Sequence, residues 1–178
     1  MAAKAENLHL VFKTAFGVCA VLFSENPFRI TSLLLPEKDH SALKAKAPSG
    51  RWGIPGKNAE VLSISGAVTE YFAGRCNRNL CPEWHRLETE NLTPLETEVL
   101  RAAARIPYGR VRSYKEIAVQ VNRPRAYRFI GSTMAKNPFP ILIPCHRVVR
   151  SDLSVGNYGG GPEMKKKLIE LEAENALK

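Results

Sequence analysis

Two tetrapeptides twenty positions apart, Thr93-Pro94-Leu95-Glu96 and Ser113-Tyr114-Lys115-Glu116, constrain the fold of this chain most. Each places a hydroxyl residue three positions before a glutamate and opens an apolar-periodic run, which is a capping box at a helix start. Pro94 also suits the first helical position. Behind the first box, Leu95, Val99, Ala102, Ala103 and Ile106 form one apolar stripe, and Pro107-Tyr108-Gly109 stops it. A short run, Arg110 to Arg112, leads into the second box. There Tyr114, Ile117, Ala118 and Val121 follow helical spacing, and Asn122-Arg123-Pro124 makes a tight turn. A third helix is expected from about Arg125 to Lys136, with Ile130 and Met134 on one face, ended by Asn137-Pro138. Two short helices joined by a tight turn, with arginines on the second, form a helix-turn-helix arrangement.

The same half carries the candidate chemistry. Pro138, Pro140 and Pro144 bracket Ile141-Leu142-Ile143, which reads as a stiff, buried, strand-like approach to Cys145. The thiolate is the nucleophilic form of cysteine, and the adjacent His146 and Arg147 favour it. A small buried apolar residue is the plain alternative. Gly156-Asn157-Tyr158-Gly159-Gly160-Gly161 is glycine-rich, but it lacks the Lys-Ser/Thr of a phosphate-binding loop. No dinucleotide fingerprint follows a strand, so nucleotide cofactors are rejected. Pro162 to Leu177 reads as a final helix, with Leu168, Ile169 and Leu171 as core candidates and Glu172 beside them.

The first half has another texture. Leu8 to Phe12, Phe16 to Phe23 and Ile30 to Leu35 are β-prone runs punctuated by Gly17 and Glu25-Asn26-Pro27. Pro36 to Asn58 reads as a long polar connection. Ala59 to Phe72 sets Val61, Leu62, Val68, Tyr71 and Phe72 at helical spacing, with Gly74 as a natural C-cap. Cys76, Cys81 and His85 lie close together, but a structural zinc takes four ligands and only three are local. A Cys76–Cys81 disulfide or plain packing is favoured there, and no metal site is assigned.

Charge divides the chain as the texture does. Of a net charge of +9, residues 1–90 contribute +2 and residues 91–178 contribute +7. Between Arg101 and Arg150 stand eleven basic residues and a single acidic one, Glu116. Such a block inside an apolar-patterned segment resembles a nucleic-acid footprint, with a merely basic surface as the alternative. At 178 residues and 44% hydrophobic content, the chain can bury one core or two small ones. No apolar run is long enough to span a membrane, and Met1 to Leu10 lacks the apolar core of a signal peptide. Four scattered cysteines do not make a secreted disulfide scaffold, so an intracellular protein is expected.

With Tyr114, Arg128, Asn137, Pro144-Cys145-His146-Arg147-Val148, the Tyr158 loop and Glu172 in view, the chain closely resembles the O6-alkylguanine-DNA alkyltransferases. These are the methylated-DNA–protein-cysteine methyltransferases. The resemblance is strongest from Thr93 to Glu172. It implies an α+β chain with a small ribonuclease-H-like sheet domain over residues 1–90 and a helical, winged-helix-like domain over 91–178. It also implies repair of duplex DNA by transfer of an alkyl group from O6-alkylguanine, and from O4-alkylthymine, to Cys145. His146 would take the cysteine proton through a water and Glu172 would orient His146. Asn137 would tie the recognition helix to the active-site turn. Tyr114 would push on a phosphate and hydrogen-bond the extruded base, and Arg128 would fill the gap left in the duplex. Ser113, Arg125, Ala126 and Tyr127 would join the DNA surface, while Met134, Val148, Tyr158 and Gly159 would line the base pocket. No metal, cofactor or membrane is implied. A monomer is expected, cytoplasmic in a prokaryote and nuclear in a eukaryote.

Taken singly, these residues have plain alternatives: core or surface aromatics at Tyr114 and Tyr158, a phosphate contact at Arg128, a core histidine at His146, a solvated Glu172, and turn chemistry at Asn137. The chain also departs from the family pattern. Tyr127 and Phe129 flank Arg128, where small residues are usual; Gly159 stands in place of a small hydroxyl residue; and Leu95-Glu96 replaces an aromatic helix start. Competing functions are a non-catalytic binder of alkylated DNA, which would lack Cys145, a cysteine hydrolase built on Cys145 and His146, and a regulator with a redox cysteine.

Overall fold

A computed structural model of the chain describes residues 8–47, 51–52, 58–76 and 78–176. The chain forms two compact units, one of residues 1–76 and 82–89 and the other of residues 77–81 and 90–178. Each is described by itself.

The first unit is built on a four-stranded sheet. Strands β1 (Leu8–Thr14), β2 (Gly17–Ser24) and β3 (Arg29–Glu37) are antiparallel neighbours, and the short β4 (Arg51–Trp52) pairs parallel to β1, giving the order β3-β2-β1-β4. The β1–β2 turn requires Gly17, whose φ is +132° and where a Cβ would stand 2.4 Å from the Glu37 carbonyl oxygen. From Val18 to Ser24 every residue of β2 is buried, which requires cover on both sheet faces. On one face, Val18, Ala20 and Leu22 form a cluster with Leu43, bordered by Val11, Leu34 and Trp52. Cys19, Val21 and Phe23 point the other way by the alternation of a strand. Helix α2 (Ala59–Phe72) packs against β1 and β2, with Phe72 5.2 Å from the Phe16 ring.

Two expectations are corrected here. The connection after β3 contains the short strand β4 and a helix, α1 (His40–Lys46), whose Asp39 side chain caps the Ala42 N–H at 2.8 Å. Its buried face is Leu43 alone, too little apolar periodicity to register. Leu62, expected in the α2 core, is 48% exposed; Ser65 takes the inward position one turn on. Gly74 does close α2 with φ +68°, donating to Tyr71 O while Arg75 donates to Glu70 O. Residues 48–50 and 53–57 of the connection, the stretch before Leu8 and the end of the final helix beyond 176 lie outside the described residues.

The second unit is helical. Helix α3 (Pro94–Ala104) and helix α4 (Tyr114–Gln120) both start with complete capping boxes, Thr93 with Glu96 and Ser113 with Glu116. Removing such a cap typically costs about 1 kcal/mol. Asn122, at φ +54°, turns the chain into helix α5 (Tyr127–Ala135). That helix begins two residues later than its spacing implied, because residues 123–126 close a turn of their own, Ala126 N donating to Arg123 O at 2.8 Å. Helices α3, α4 and α5 pack on one another, burying Val99, Leu100, Ala103, Ile117, Ala118, Ile130 and Met134. A two-stranded parallel pair, β5 (Arg112–Ser113) and β6 (Val148–Val149), carries the chain from the second capping box back beside the cysteine. Helix α6 (Pro162–Asn175) closes the unit with Lys165, Leu168, Glu172 and Asn175 buried. Among the described residues no helix is long and apolar enough to cross a membrane.

Candidate active site and basic surface

Cys145 sits in a single 3-10 turn, Cys145–Arg147, within a run from Phe139 to Val149 that is buried throughout. The approach to it is not a strand. Phe139 O accepts from Ile143 N at 2.8 Å, and Ile141 takes φ +70°, so residues 139–143 form a tight turn. Prolines and apolar residues mark a buried turn and a buried strand alike. The left-handed backbone of a β-branched residue costs on the order of 1–3 kcal/mol and persists only when its surroundings hold it. Packing supplies that hold, since Ile141 is 2% exposed.

Asn137, just past α5, is the local tie. Its Nδ2 donates to Ile143 O at 2.9 Å and its Oδ1 accepts from Phe139 N at 3.0 Å. Its side-chain amide also favours the thiolate form of Cys145. Burial pushes the Cys145 thiol above its ordinary value, against the pull of Asn137, Lys165 and the backbone N–H groups of Cys145 and His146.

Directly behind the cysteine, His146 Nε2 donates to Glu172 Oε1 at 2.7 Å with both side chains buried. Burial lowers the imidazole's pKa, with Glu172 acting in the opposite direction, so the ring is neutral at pH 7. Burial also raises the Glu172 pKa, but the hydrogen bonds of His146 and Arg147 and the Arg147 charge prevail, joined by the His146 charge only at a pH low enough to protonate the ring, and bring it to about 2. An ionised carboxylate accepts only, so the proton stands on Nε2 and Nδ1 carries the ring's lone pair.

Two further residues complete this arrangement: Lys165, which was not expected in the site, and Arg147, expected to favour the thiolate but turned onto Glu172 instead. Arg147, 1% exposed, forks onto Glu172 through Nε at 2.8 Å and Nη2 at 2.9 Å. Its Nη1 donates to Asn79 Oδ1 at 2.5 Å and Ile106 O at 2.7 Å. Arg147 is therefore not part of the basic surface. The other ten basic residues from Arg101 to Arg150 are all exposed. Lys165 is fully buried; its Nζ donates to Val148 O at 2.5 Å and to the Tyr114 hydroxyl at 3.3 Å. Burial lowers its pKa to about 8, with the Cys145 charge opposing. Spacing could have found it: residues 165, 168, 172 and 175 form the buried stripe of α6. No such signal existed for Asn79, which is 68 positions from Arg147.

The other expected site residues fall around this centre. Tyr114 opens α4 with its hydroxyl on Lys165, and burial raises its pKa, keeping it a donor. Gly156, at φ +65°, leaves room for that ring, since a Cβ there would meet the Tyr114 hydroxyl at 2.9 Å. Tyr158 is buried edge-on to His146, ring centroids 6.5 Å apart, and its hydroxyl has no hydrogen-bond partner among the described residues. Met134 lies on the inner face of α5, and the Val148 carbonyl keeps one lone pair beyond the Lys165 bond. Gly159 is exposed. Arg125, Tyr127 and Arg128 are exposed at the start of α5, with Ala126 half-buried. The Ser113 hydroxyl is engaged in its capping box, accepting from Glu116 N and donating to Glu116 Oε2. All four cysteines are thiols, so Cys76 and Cys81 form no disulfide. Among the described residues, no group of three His, Cys, Asp or Glu side chains is placed to hold a metal.

Residues 94–174 match the family model described as 6-O-methylguanine DNA methyltransferase, DNA binding domain. The chain is 31% identical to the constitutive methylated-DNA–protein-cysteine methyltransferase of Bacillus subtilis, over 93% of this chain and 95% of that protein. It is 41% identical to the Methanosarcina barkeri protein of the same name, over 59% of this chain, an alignment that spans 63% of the relative. Its fold matches the crystal structure of Mycobacterium tuberculosis OGT in complex with DNA, with a TM-score of 0.71 and 29% identity over 95% of this chain and 94% of that one. Near-full-length similarity to the Bacillus protein, together with the buried cysteine turn it accompanies, makes this chain a member of the methylated-DNA–protein-cysteine methyltransferase family.

Proposed function

We propose that this protein repairs alkylated DNA by moving an alkyl group from the O6 atom of guanine, and from O4 of thymine, onto Cys145. The observation that carries the reading is the buried His146–Glu172 pair set directly behind a buried cysteine. The sulfur attacks the alkyl carbon, the carbon–O6 bond breaks, and its electron pair stays with guanine. His146 takes the thiol proton through a water onto Nδ1, and Glu172 stabilises the resulting imidazolium. Asn137 holds the turn. Tyr114 offers its hydroxyl to the departing base, backed by the Lys165 ammonium. Tyr158 packs on the guanine, with Met134, Gly159 and the main chain at Val148 as the remaining walls.

Magnitudes limit what ionisation can do. An unperturbed thiol of pKa about 8.5 is only about 3% thiolate at neutral pH. Complete ionisation could gain at most about 30-fold, roughly 2 kcal/mol, and nucleophilicity falls with pKa. Burial makes the thiolate rarer still. The proton must therefore leave as substrate arrives, and the main acceleration rests on positioning and leaving-group stabilisation. A base stacked in a duplex cannot reach a sulfur that is 2% exposed, which supports base flipping with Arg128 filling the vacated place. Exposed cations at Arg125, Arg128, Lys115 and Arg150 support duplex DNA as partner, as does the DNA bound to the Mycobacterium tuberculosis relative. A thioether has no ready hydrolysis route, so each molecule reacts once, as a monomer.

The test is incubation with duplex DNA carrying O6-[methyl-labelled]guanine. Label is expected on protein, one group per molecule, on Cys145 by mass spectrometry, and Cys145→Ala should bind DNA but take no label. Label on Cys19, Cys76 or Cys81, or none on protein, would overturn the proposal.

A further inference from the structure

Tyr127 is a large aromatic left 50% exposed at the first position of α5, between the exposed Arg125 and Arg128. A single exposed ring is ordinary on a protein surface, so it is the place of this one, beside two exposed arginines and in the wall of a pocket, that points to a partner. The ring lines a pocket of about 390 Å³ together with Pro124, Tyr114, Lys115, Arg150 and Ser151. The walls divide by chemistry. Tyr127, Pro124 and the Tyr114 ring are flat and apolar, whereas Lys115 and Arg150 are exposed cations and Ser151 an exposed hydroxyl. No carboxylate lines the pocket. Tyr114 is shared with the cysteine site, since its hydroxyl accepts from the buried Lys165, which also bonds Val148 O beside Cys145.

Resting on the DNA-repair reading above, we infer that this pocket takes the nucleotide next to the extruded one on the lesion strand. Its flat apolar part lies against Tyr127 and Pro124, and its phosphate lies between Lys115 and Arg150. A pocket with apolar walls, two cations and no carboxylate fits an anion that carries a flat apolar group, which is what a nucleotide is. Aromatic rings hold strand nucleotides without regard to sequence, and cations hold the backbone. The wall shared with the cysteine site makes the occupant a neighbour of the reacting nucleotide rather than that nucleotide itself. Tyr127 thus adds an aromatic grip on the strand to the arginine finger beside it.

The test uses the full chain and unmodified, fluorescein-labelled single-stranded oligonucleotides, so that binding is read without alkyl transfer. Tyr127→Ala should raise Kd by about 5- to 100-fold, the range for loss of one base–aromatic contact. Its salt slope should be unchanged, and Tyr127→Phe should bind like wild type. Arg150→Ala should instead reduce the slope by about one. Circular dichroism checks that each variant is folded, as a half-exposed position allows. Unchanged binding by Tyr127→Ala, equal loss in Tyr127→Ala and Tyr127→Phe, or a reduced slope in Tyr127→Ala would each overturn the inference. The same variants are assayed separately for label transfer from the free nucleoside, which has no neighbouring nucleotide. Slowing of that reaction by Tyr127→Ala would place the ring in the base pocket and overturn the inference. If no variant or wild type transfers label while the binding pattern holds, only the alkyl-transfer reading fails.

Discussion

Glu172→Gln is the perturbation whose size the structure defines best. The carboxylate takes the Nε2–H of His146, two N–H bonds from Arg147 and the backbone N–H of Gly109 at 3.1 Å. A glutamine keeps one acceptor but turns an NH2 group toward those donors. The fall of its pKa from 4.5 to about 2, at about 1.4 kcal/mol per unit, corresponds to about 3 kcal/mol gained on folding by the ionised form. Removing one member of a buried ion pair costs about 3–5 kcal/mol, because the partner charge is stranded. The two figures agree, so the variant should lose about 3–5 kcal/mol at pH 7. The sign of the pH dependence follows. A carboxyl with a depressed folded pKa contributes fully above about 4.5 and loses that contribution as pH falls toward about 2. Urea unfolding of the full chain, followed by far-ultraviolet circular dichroism, should show the helical transition displaced by about 1–5 M at pH 7, given slopes of about 1–3 kcal/mol per molar. The gap should narrow steadily below pH 4.5. A gap under about 1 kcal/mol at pH 7, or one that persists unchanged to pH 3, would refute the assignment of Glu172 as the charged centre of this unit.

Arg128→Ala should slow transfer from duplex DNA far more than reaction with the free base O6-benzylguanine, because only the duplex requires flipping; equal slowing on both would move Arg128 from the finger to the pocket. DNA affinity should fall with salt at a slope near −0.9 per neutralised phosphate, measured by titration in increasing chloride, and Arg147 should contribute nothing to that slope directly because it is buried. Lys165, with a folded pKa of about 8 against 10.5, binds its proton less well in the fold; wild type should therefore gain stability over Lys165→Met between about pH 8 and 10.5, and urea midpoints across that window check it.

Local signals were legible in the sequence and long-range ones were not. Both capping boxes, the Gly74 cap and the three long strands of the first sheet announce themselves within a few residues, since hydroxyl, glutamate and glycine positions act on the adjacent backbone; the two-residue β4 does not. Helix α1 did not, because Leu43 is its whole apolar face. Residues 139–143 read as a strand because the turn that Ile141 makes depends on a backbone conformation its side chain disfavours. Cys145, His146, Glu172 and Asn137 were legible through the family resemblance, and the geometry joins them. Arg147 and Lys165 were hidden by their own chemistry. A buried cation looks like a surface cation until its partners are placed, and those partners lie 25 positions from Arg147 at Glu172 and 51 from Lys165 at Tyr114.

The burial of Cys145 has a consequence for everything the protein meets before its substrate. A molecule consumed by its first alkylation gains nothing from a reactive sulfur that any passing electrophile, oxidant or metal ion can use up. At 2% exposure, with its thiol pushed upward by the same burial, Cys145 is withheld from such background chemistry. Cys81 is half-buried, and although burial raises its pKa against the pull of Arg101, it is the more accessible thiol and should be spent first by a small alkylating agent in solution. On the proposed chemistry the buried turn therefore acts as a filter by access, keeping the sulfur silent toward everything but a base brought into the site.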